Sequence, residues 1–178
     1  MNTPRLFLAA ITLAFASCAS TGSSTSNGGG KNLSLKEGSV SVQVTAPFGW
    51  KIVSSKDEPL DWNYAGDPPT QDGRQFGVRL DEVGPHAATD YPTYLKNVHQ
   101  LYDPKVRMAP EAAFTLKDGR KITPQRYYSK YWQQRLVIII PEGKAATVFE
   151  FTAPTLESLR SSHELIQQML NTYTSKAK

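Results

Sequence analysis

The feature that most constrains the fold is a pair of apolar segments around one turn, over residues 134–153. Leu136 to Ile140 is a continuous apolar run, which is typical of a strand covered on both faces. After the turn-forming residues 141–144 (PEGK), the segment 146–153 (ATVFEFTA) alternates as a strand does. Two such strands with a short turn predict an antiparallel hairpin inside a sheet.

Alternation of apolar and polar residues, interrupted by turn residues, predicts more strands in the same domain. The Asp118-Gly119 dipeptide separates two of these segments, and Asp-Gly between apolar runs is a strong hairpin signal. The additional strands are predicted at residues 39–46, 50–53, 75–80, 113–116 and 120–131.

Two segments have the three-and-four spacing of amphipathic helices. The first helix is predicted between Pro92 and Pro104, and the second is predicted as one continuous helix after the N-cap residue Thr155. The stripe of the second helix consists of Leu156, Leu159, His163, Ile166, Leu170 and Tyr173. A sheet with one helix midway and one at the end predicts an α+β fold, an antiparallel sheet flanked by helices.

The first 17 residues have the organisation of an export signal. Arg5 supplies positive charge, and residues 6–16 (LFLAAITLAFA) carry none. Eleven helical residues span roughly 16 Å, about half of a bilayer's hydrocarbon core, so this segment is not predicted to cross a membrane. Cys18, the only cysteine, follows immediately. The alternative is an ordinary secretory signal cleaved after Ala16 or Ala19, with Cys18 unmodified.

Residues 15–18, Phe-Ala-Ser-Cys, resemble the lipobox of bacterial lipoproteins, with Phe15 where leucine is commonest. The resemblance implies a thioether-linked diacylglycerol on Cys18, cleavage before it, and acylation of the new amino terminus. Residues 18–32, rich in Ser and Gly, are predicted to form a flexible tether, and residues 33–178 a single domain. Because no Asp follows Cys18, the resemblance suggests the outer membrane, with the domain facing the periplasm.

The turn Ala46-Pro47-Phe48-Gly49-Trp50 is similar to the P-x-G-W turn early in PsbP-like domains. The Asp-Gly hairpin and the segment 149–154 (FEFTAP), which leads into the last helix, fit the same pattern. The chain therefore resembles the PsbP-like family, which includes extrinsic photosystem proteins and small bacterial lipoproteins. The resemblance implies an α/β/α sandwich, no established enzyme activity, and a role as an accessory or binding module.

Charge bears on the class of partner. The chain has a formal net charge of +4, and its basic residues are scattered without a run of five like charges, so a nucleic-acid partner is not expected. We expect two partners instead, the membrane through the lipid anchor and an envelope protein or complex. No cofactor is expected.

The three histidines are the candidates for a catalytic or metal site. His86 precedes Asp90 by four residues, and His99 precedes Asp103 by four, a spacing that also suits a surface ion pair. Zinc requires three or four ligands, and the sequence joins no further ligand to either pair. His163 is expected at the edge of the core. An envelope hydrolase or a metal-dependent enzyme with a histidine-containing site is the alternative to a binding module.

Three aromatic residues are the predicted binding contacts, because exposed aromatic rings often anchor a partner. Trp62 and Tyr64 lie in a polar stretch at 54–74 that is predicted to be a long loop, and Trp132 ends the segment 127–132 (YYSKYW). The alternatives are that the two loop rings cover a face of the sheet and that Trp132 packs against neighbouring strands.

Overall fold

A computed structural model gives the fold, and it describes residues 30–54, 63–83, 87–129 and 133–177. The helices of this part of the chain are α1 (Ala87–Tyr102), α2 (Leu156–Ser161) and α3 (His163–Leu170). Its strands are β1 (Asn32–Glu37), β2 (Val40–Thr45), β3 (Lys51–Val53), β4 (Tyr64–Asp67), β5 (Gln75–Glu82), β6 (Arg107–Pro110), β7 (Phe114–Thr115), β8 (Lys121–Ile122), β9 (Gln125–Tyr128), β10 (Gln134–Glu142), β11 (Ala145–Ala153) and β12 (Thr174–Ala177).

The main sheet has seven antiparallel strands in the order β3-β4-β5-β11-β10-β9-β6. The predicted hairpin is β10 with β11, and its register places Ile138 opposite Phe149. Both residues are almost completely buried. The Asp-Gly hairpin is also confirmed as the short pair β7 and β8, with Gly119 in the left-handed region at φ 86°.

Each face of the main sheet is covered by a different layer. Tyr91 and Leu95 of α1 pack with Val137 and Val148 on one face. On the other face, α2, α3 and a small sheet of strands β1, β2 and β12 cover a larger core. Helix and sheet layers on both sides of an antiparallel sheet confirm the α+β class. No helix of the described residues is long and apolar enough to span a membrane.

Two strands of the small sheet were not predicted. β1 pairs with β2 along its whole length, and its buried Leu33 and Leu35 alternate as a strand requires. The backbone N–H of Ala46 also bonds to the carbonyl of Lys31, so the predicted tether 18–32 is too long at its carboxyl end. β12 pairs with the other edge of β2 through polar residues, which give no apolar pattern.

The predicted single C-terminal helix is two helices that meet at Ser162. Thr155 caps α2 as expected, since its hydroxyl accepts the N–H of Ser158 at 3.0 Å. The hydroxyls of Ser161 and Ser162 both donate to the carbonyl of Ser158 and so compete with the helical backbone bonds. Tyr173 is buried, but it lies beyond the end of α3.

The stretch 54–74 is not one long loop, because it contains β4. Gly66 explains why this strand was missed, since a glycine weakens the pattern of a strand. A Cβ at Gly66 would lie 2.5 Å from the ring of Phe76 and 2.9 Å from Ile52, so only glycine fits between these core side chains. The first predicted helix exists, but α1 begins five residues before Pro92, which therefore lies within the helix.

Candidate functional site

A cleft of about 320 Å³ lies on the face of the main sheet that α1 partly covers. We call it the sheet-face cleft. Residues of β3, β4, β5, β10 and β11 line it, and the register places Ala65, Gly77 and Glu150 side by side across three strands. Glycine in the middle of β5 contributes no side chain beside Glu150, which keeps the floor of the cleft low.

An ion pair dominates the electrostatics of the cleft. The Nε of Arg135 on β10 lies 2.7 Å from a carboxylate oxygen of Glu150 on β11. Glu150 is only 8% exposed, whereas about a third of the Arg135 side chain is exposed. Burial raises the pKa of the Glu150 carboxyl, and the charges of Arg135 and Arg79 act against this shift. A buried carboxylate therefore faces a solvent-accessible concavity with a guanidinium beside it.

The side chains of Gln75, Thr152 and Asp67 complete the polar lining of the cleft. Gln75 lies opposite Thr152 in the register, and Asp67 belongs to the neighbouring strand. The Oγ1 of Thr152 is buried and has no hydrogen-bond partner in the described part of the chain. A buried hydroxyl without a partner is unfavourable by about 1–3 kcal/mol, so its retention needs an explanation.

The polar groups continue beneath α1. Arg79 donates to Asp81 at 2.8 Å and to the hydroxyl of Tyr91 at 3.3 Å, and that hydroxyl donates to Asp81. Burial, together with the bond to Asp81, raises the pKa of Tyr91 to about 12. The hydroxyl of Tyr127 donates to the carbonyl of Pro92 at 2.8 Å. This network fixes α1 next to the cleft and holds Arg79 within electrostatic reach of Glu150.

A second concavity, of about 260 Å³, lies on the opposite face, between α2, α3 and the chain around Phe114. Its floor is apolar and includes Leu136, Leu159 and Ile166. The imidazole of His163 stacks on Phe114 with ring centroids 4.4 Å apart. His163 is exposed and lies at the edge of the core as predicted, because its ring stacks on the buried Phe114.

The structure separates the elements that carry two of the histidines. α1, which contains His99, packs on one face of the main sheet, and α3, which begins at His163, packs on the other. Asp103 is only 6% exposed and accepts the N–H of Lys105 at 2.9 Å, whereas the side chain of His99 lies outside what the structure describes, so their pairing stays a prediction. Among the described residues, no group of three or more His, Cys, Asp or Glu could hold a metal ion. His86 lies outside the described residues.

Of the three predicted binding residues, the structure describes only Tyr64. Tyr64 lies in β4, not in a loop, and its half-buried ring packs on the core while its hydroxyl donates to the carbonyl of Ser34 at 3.2 Å. This matches the alternative of a ring folded over the sheet. Trp62, Trp132 and Cys18 lie outside the described residues. In the sequence, Trp62 comes two residues before β4 begins at Tyr64 and Trp132 two residues before β10 begins at Gln134, and both strands line the cleft.

Sequence reasoning missed the residues of the cleft. Glu150 carried a signal, because it is a lone acidic residue between Phe149 and Phe151 in a strand that is otherwise buried. Gly77, in the middle of the alternating segment of β5, carried a second signal. Arg135 and Thr152 carried none, since charged and hydroxyl residues near the ends of strands are common.

The order of strands and the two covering layers can be compared with solved structures. The solution structure of cyanobacterial PsbP (CyanoP) from Synechocystis matches with a TM-score of 0.58, over 90% of this chain and 98% of that chain, at 14% sequence identity. The fold is PsbP-like. At 14% sequence identity, the match establishes the similarity of the fold alone.

Two other solved structures are similar to this PsbP-like chain. The Ran-binding protein Mog1p of Saccharomyces cerevisiae matches with a TM-score of 0.53 and 13% identity, over 81% of this chain and 95% of that chain. LpqN, a protein of Mycobacterium tuberculosis involved in cell envelope biogenesis, has a TM-score of 0.48 at 16% identity, over 82% and 91% of the two chains. No family model and no curated protein matches the sequence.

Proposed function

We propose that this chain is a lipid-anchored protein of the bacterial cell envelope whose PsbP-like domain is a non-catalytic binding module. The sheet-face cleft is its binding site, and Cys18 is the residue that carries the lipid. The expected partner is an envelope protein or complex, reached from the outer membrane on its periplasmic side. The lipobox resemblance supports the location, and the PsbP-like fold is compatible with an accessory role.

The observation that carries the proposal is the buried carboxylate of Glu150 facing the cleft. Burial of a charge is costly even with a partner, and apolar residues of similar volume are often at least as favourable for stability. Ionisable groups with shifted pKa values in a concave surface are therefore candidates for function. Here Arg135 neutralises Glu150 within the fold, an arrangement that suits holding a ligand by hydrogen bonds.

Trp62 and Trp132 are the proposed aromatic contacts at the cleft. Each adjoins a strand that lines the cleft, and tryptophan side chains are frequent anchors of binding surfaces. Tyr64 does not line the cleft, because its ring packs on the core of the opposite face and its hydroxyl donates to the carbonyl of Ser34. The binding surface is therefore expected to combine polar groups at its centre with aromatic groups at its margin.

Cross-linking in intact envelopes tests the proposal with two matched double variants. The test variant, Arg135→Gln with Glu150→Gln, removes both members of the cleft's ion pair together, so that neither remains buried alone. The control, Arg126→Gln with Glu111→Gln, removes an ion pair of 2.5 Å between β9 and the residue that follows β6, outside the cleft. Circular dichroism and urea unfolding first establish that both variants fold.

We expect the test variant to lose at least tenfold of the cross-linked partner, since hydrogen bonds to charged groups contribute roughly 1.5–3 kcal/mol each. The control variant should retain the cross-links. Glu111 also lies at the rim of the apolar concavity beside α2. If the control variant loses the cross-links and the test variant keeps them, the binding site lies on the opposite face of the sheet, and the proposal is contradicted.

A further inference from the structure

Phe48 is one of the few large apolar side chains that the described part of the chain leaves on the surface. It is 71% exposed, and among the described residues only Val53 and Leu101 are also large, apolar and exposed. Isolated apolar residues on a surface are common and need no partner by themselves. The position of Phe48 in the fold therefore decides whether it has one.

The turn that carries Phe48 is held in place by its neighbours, and we call residues 47–50 the Phe48 turn. The N–H of Trp50 donates to the carbonyl of Pro47 at 3.3 Å, and Gly49 has a φ of 76°, as the third residue of a type II turn requires. Pro47 is buried, and the ring of Trp50 packs against the larger core cluster. The fold therefore presents Phe48 outward on a fixed support.

The chain that leads back to Cys18 joins the domain beside this turn. The carbonyl of Lys31 accepts the N–H of Ala46 at 2.8 Å, and Gly30 lies so close to Ala46 that a Cβ on Gly30 would be 1.8 Å from the carbonyl oxygen of Ala46. Ala46 directly precedes the Phe48 turn. If Cys18 carries the lipid, the anchor is therefore attached at the end of the domain that presents Phe48.

Exposed apolar atoms continue from Phe48 to the neighbouring loop. Pro69 is exposed and lies against Gly49, where an added Cβ would be 3.0 Å from the proline ring. Neither Phe48 nor Pro69 lines the sheet-face cleft or the apolar concavity beside α2, so this surface is separate from both. An outward apolar side chain on a fixed turn suits insertion into an apolar medium such as lipid.

The charges around the Phe48 turn do not select an ionic partner. Both signs occur among the charged residues on the adjoining segments, which are Lys31, Lys51, Asp67, Asp72 and Arg74. Asp72 and Arg74 form an ion pair of 2.8 Å, and Lys51 lies opposite Asp67 in the β3–β4 register. A contact made by this surface therefore depends on apolar burial rather than on charge.

We propose that the Phe48 turn contacts the membrane, with the ring of Phe48 inserted at the boundary between headgroups and acyl chains of the leaflet that holds the Cys18 lipid. The apolar face of an interfacial helix is buried by roughly 5–10 Å at the same boundary. This inference rests on the proposed function, since the lipid keeps the turn near the leaflet. One phenylalanine would hold a free protein only weakly, but a short tether makes the contact intramolecular and so raises its effective concentration.

Fluorescence quenching by brominated lipids on the mature lipidated protein tests the contact. The lipid occupies the thiol of Cys18, the only cysteine, so an introduced cysteine is the only free thiol for a fluorescent label. The label is placed at Phe48→Cys and, as the matched control, at Leu101→Cys, an exposed position on α1. The vesicles consist of neutral phosphatidylcholine brominated near the headgroup. A third label, at the exposed position Lys51→Cys, is measured with Phe48 present and in the variant Phe48→Ser.

We expect the label at position 48 to be quenched about threefold more than the label at position 101, because only the former enters the lipid. Phe48→Ser should reduce the quenching at position 51 by roughly half or more, since it removes the apolar side chain that the lipid buries. About 1 M salt, at which the Debye length is about 3 Å, should change neither result.

Equal quenching at positions 48 and 101 would overturn the inference, as would loss of the difference in high salt or the absence of any effect of Phe48→Ser. Metabolic labelling with palmitate separates this failure from that of the proposed function. If palmitate labels Cys18 and the quenching test fails, the membrane contact is wrong and the proposed function stands. If Cys18 carries no lipid, both are wrong.

Discussion

Two threonines on β11 show how one side chain can serve either the fold or a site. Thr147 is completely buried, and its hydroxyl is 2.9 Å from that of Tyr173. Tyr173 in turn donates to Glu142 at 2.8 Å, so every member of this network has a partner. The Oγ1 of Thr152, on the other face of the same strand, has none in the described part of the chain.

This difference predicts stability changes of opposite sign for the same substitution. Thr152→Val should raise the free energy of unfolding by about 1 kcal/mol, because it removes a buried oxygen without a partner. Thr147→Val should lower it by about 1 kcal/mol, because it breaks the contact with Tyr173. Urea unfolding followed by circular dichroism measures both. Equal destabilisation of the two variants would show that the hydroxyl of Thr152 has a partner in the folded protein.

The role of a side chain could be predicted from the sequence only where the neighbouring residues already indicate that it is buried. The lone Glu150 among apolar residues was visible in the sequence, but its partner Arg135 became evident only through the β10–β11 register. His163 is a second example. Its spacing placed it on the apolar stripe, and it lines the same concavity as Leu159 and Ile166, but its stacking on Phe114 joins residues 49 positions apart, which spacing cannot reveal.

At the scale of elements, α2 and α3 provide a large part of the core on one face. Leu159 of α2 is 3% exposed and Ile166 of α3 is 1% exposed, and both belong to the larger core cluster. The helix is interrupted at Ser162, and both residues remain buried on either side of the interruption. The apolar stripe was predicted correctly, but the interruption coincides with hydroxyl-to-carbonyl bonds of Ser161 and Ser162.

Leu159→Ala should therefore lower the free energy of unfolding by roughly 2–5 kcal/mol, the usual effect of deleting a buried leucine side chain. The matched control is Leu101→Ala on α1, where the leucine is 82% exposed and the change should remain within about 0.5 kcal/mol. Urea unfolding of both variants against the parent measures the difference. Similar values for the two leucines would mean that α2 does not pack on the sheet.

Strands rich in apolar residues were easier to predict from the sequence than polar strands. The central strands β5, β10 and β11 bury long alternating or continuous apolar runs, so pattern alone located them. β12 is a polar edge strand that is held by backbone pairing with β2, and β4 contains a glycine required by its neighbours. Such strands are determined by tertiary contacts, which a local pattern does not contain.

At the scale of the whole molecule, the folded domain and the predicted anchor are joined by a short connection. The first described backbone bond of the small sheet is made by Lys31, so about a dozen residues separate Cys18 from the domain. If these residues form the tether predicted from the sequence, they reach roughly 20 Å. If Cys18 carries the lipid, the sheet-face cleft therefore acts close to the membrane surface, where ligands attached to the envelope are concentrated.

Substitution of Cys18 tests the anchor directly. A single acyl chain binds membranes only marginally, whereas two or more give stable attachment, so the processed protein should remain with the membrane through high-salt washing. Cys18→Ala removes the thiol that would carry the diacylglycerol, and the variant should either accumulate as the longer precursor or shift to the soluble fraction. Metabolic labelling with palmitate should mark the parent chain and not the variant.

The control for this experiment is Ser17→Ala, which keeps the cysteine and a small residue before it and should leave labelling and fractionation unchanged. Membrane extraction with carbonate separates an integral lipid anchor from adsorption of a basic domain to anionic lipid, since only adsorption is disrupted by salt and high pH. Cleavage and unaltered membrane retention of Cys18→Ala would favour the alternative, an ordinary secretory signal with an incidental cysteine. In that case the domain would diffuse freely in its compartment, and any concentration of the cleft near the membrane would have to come from its partner.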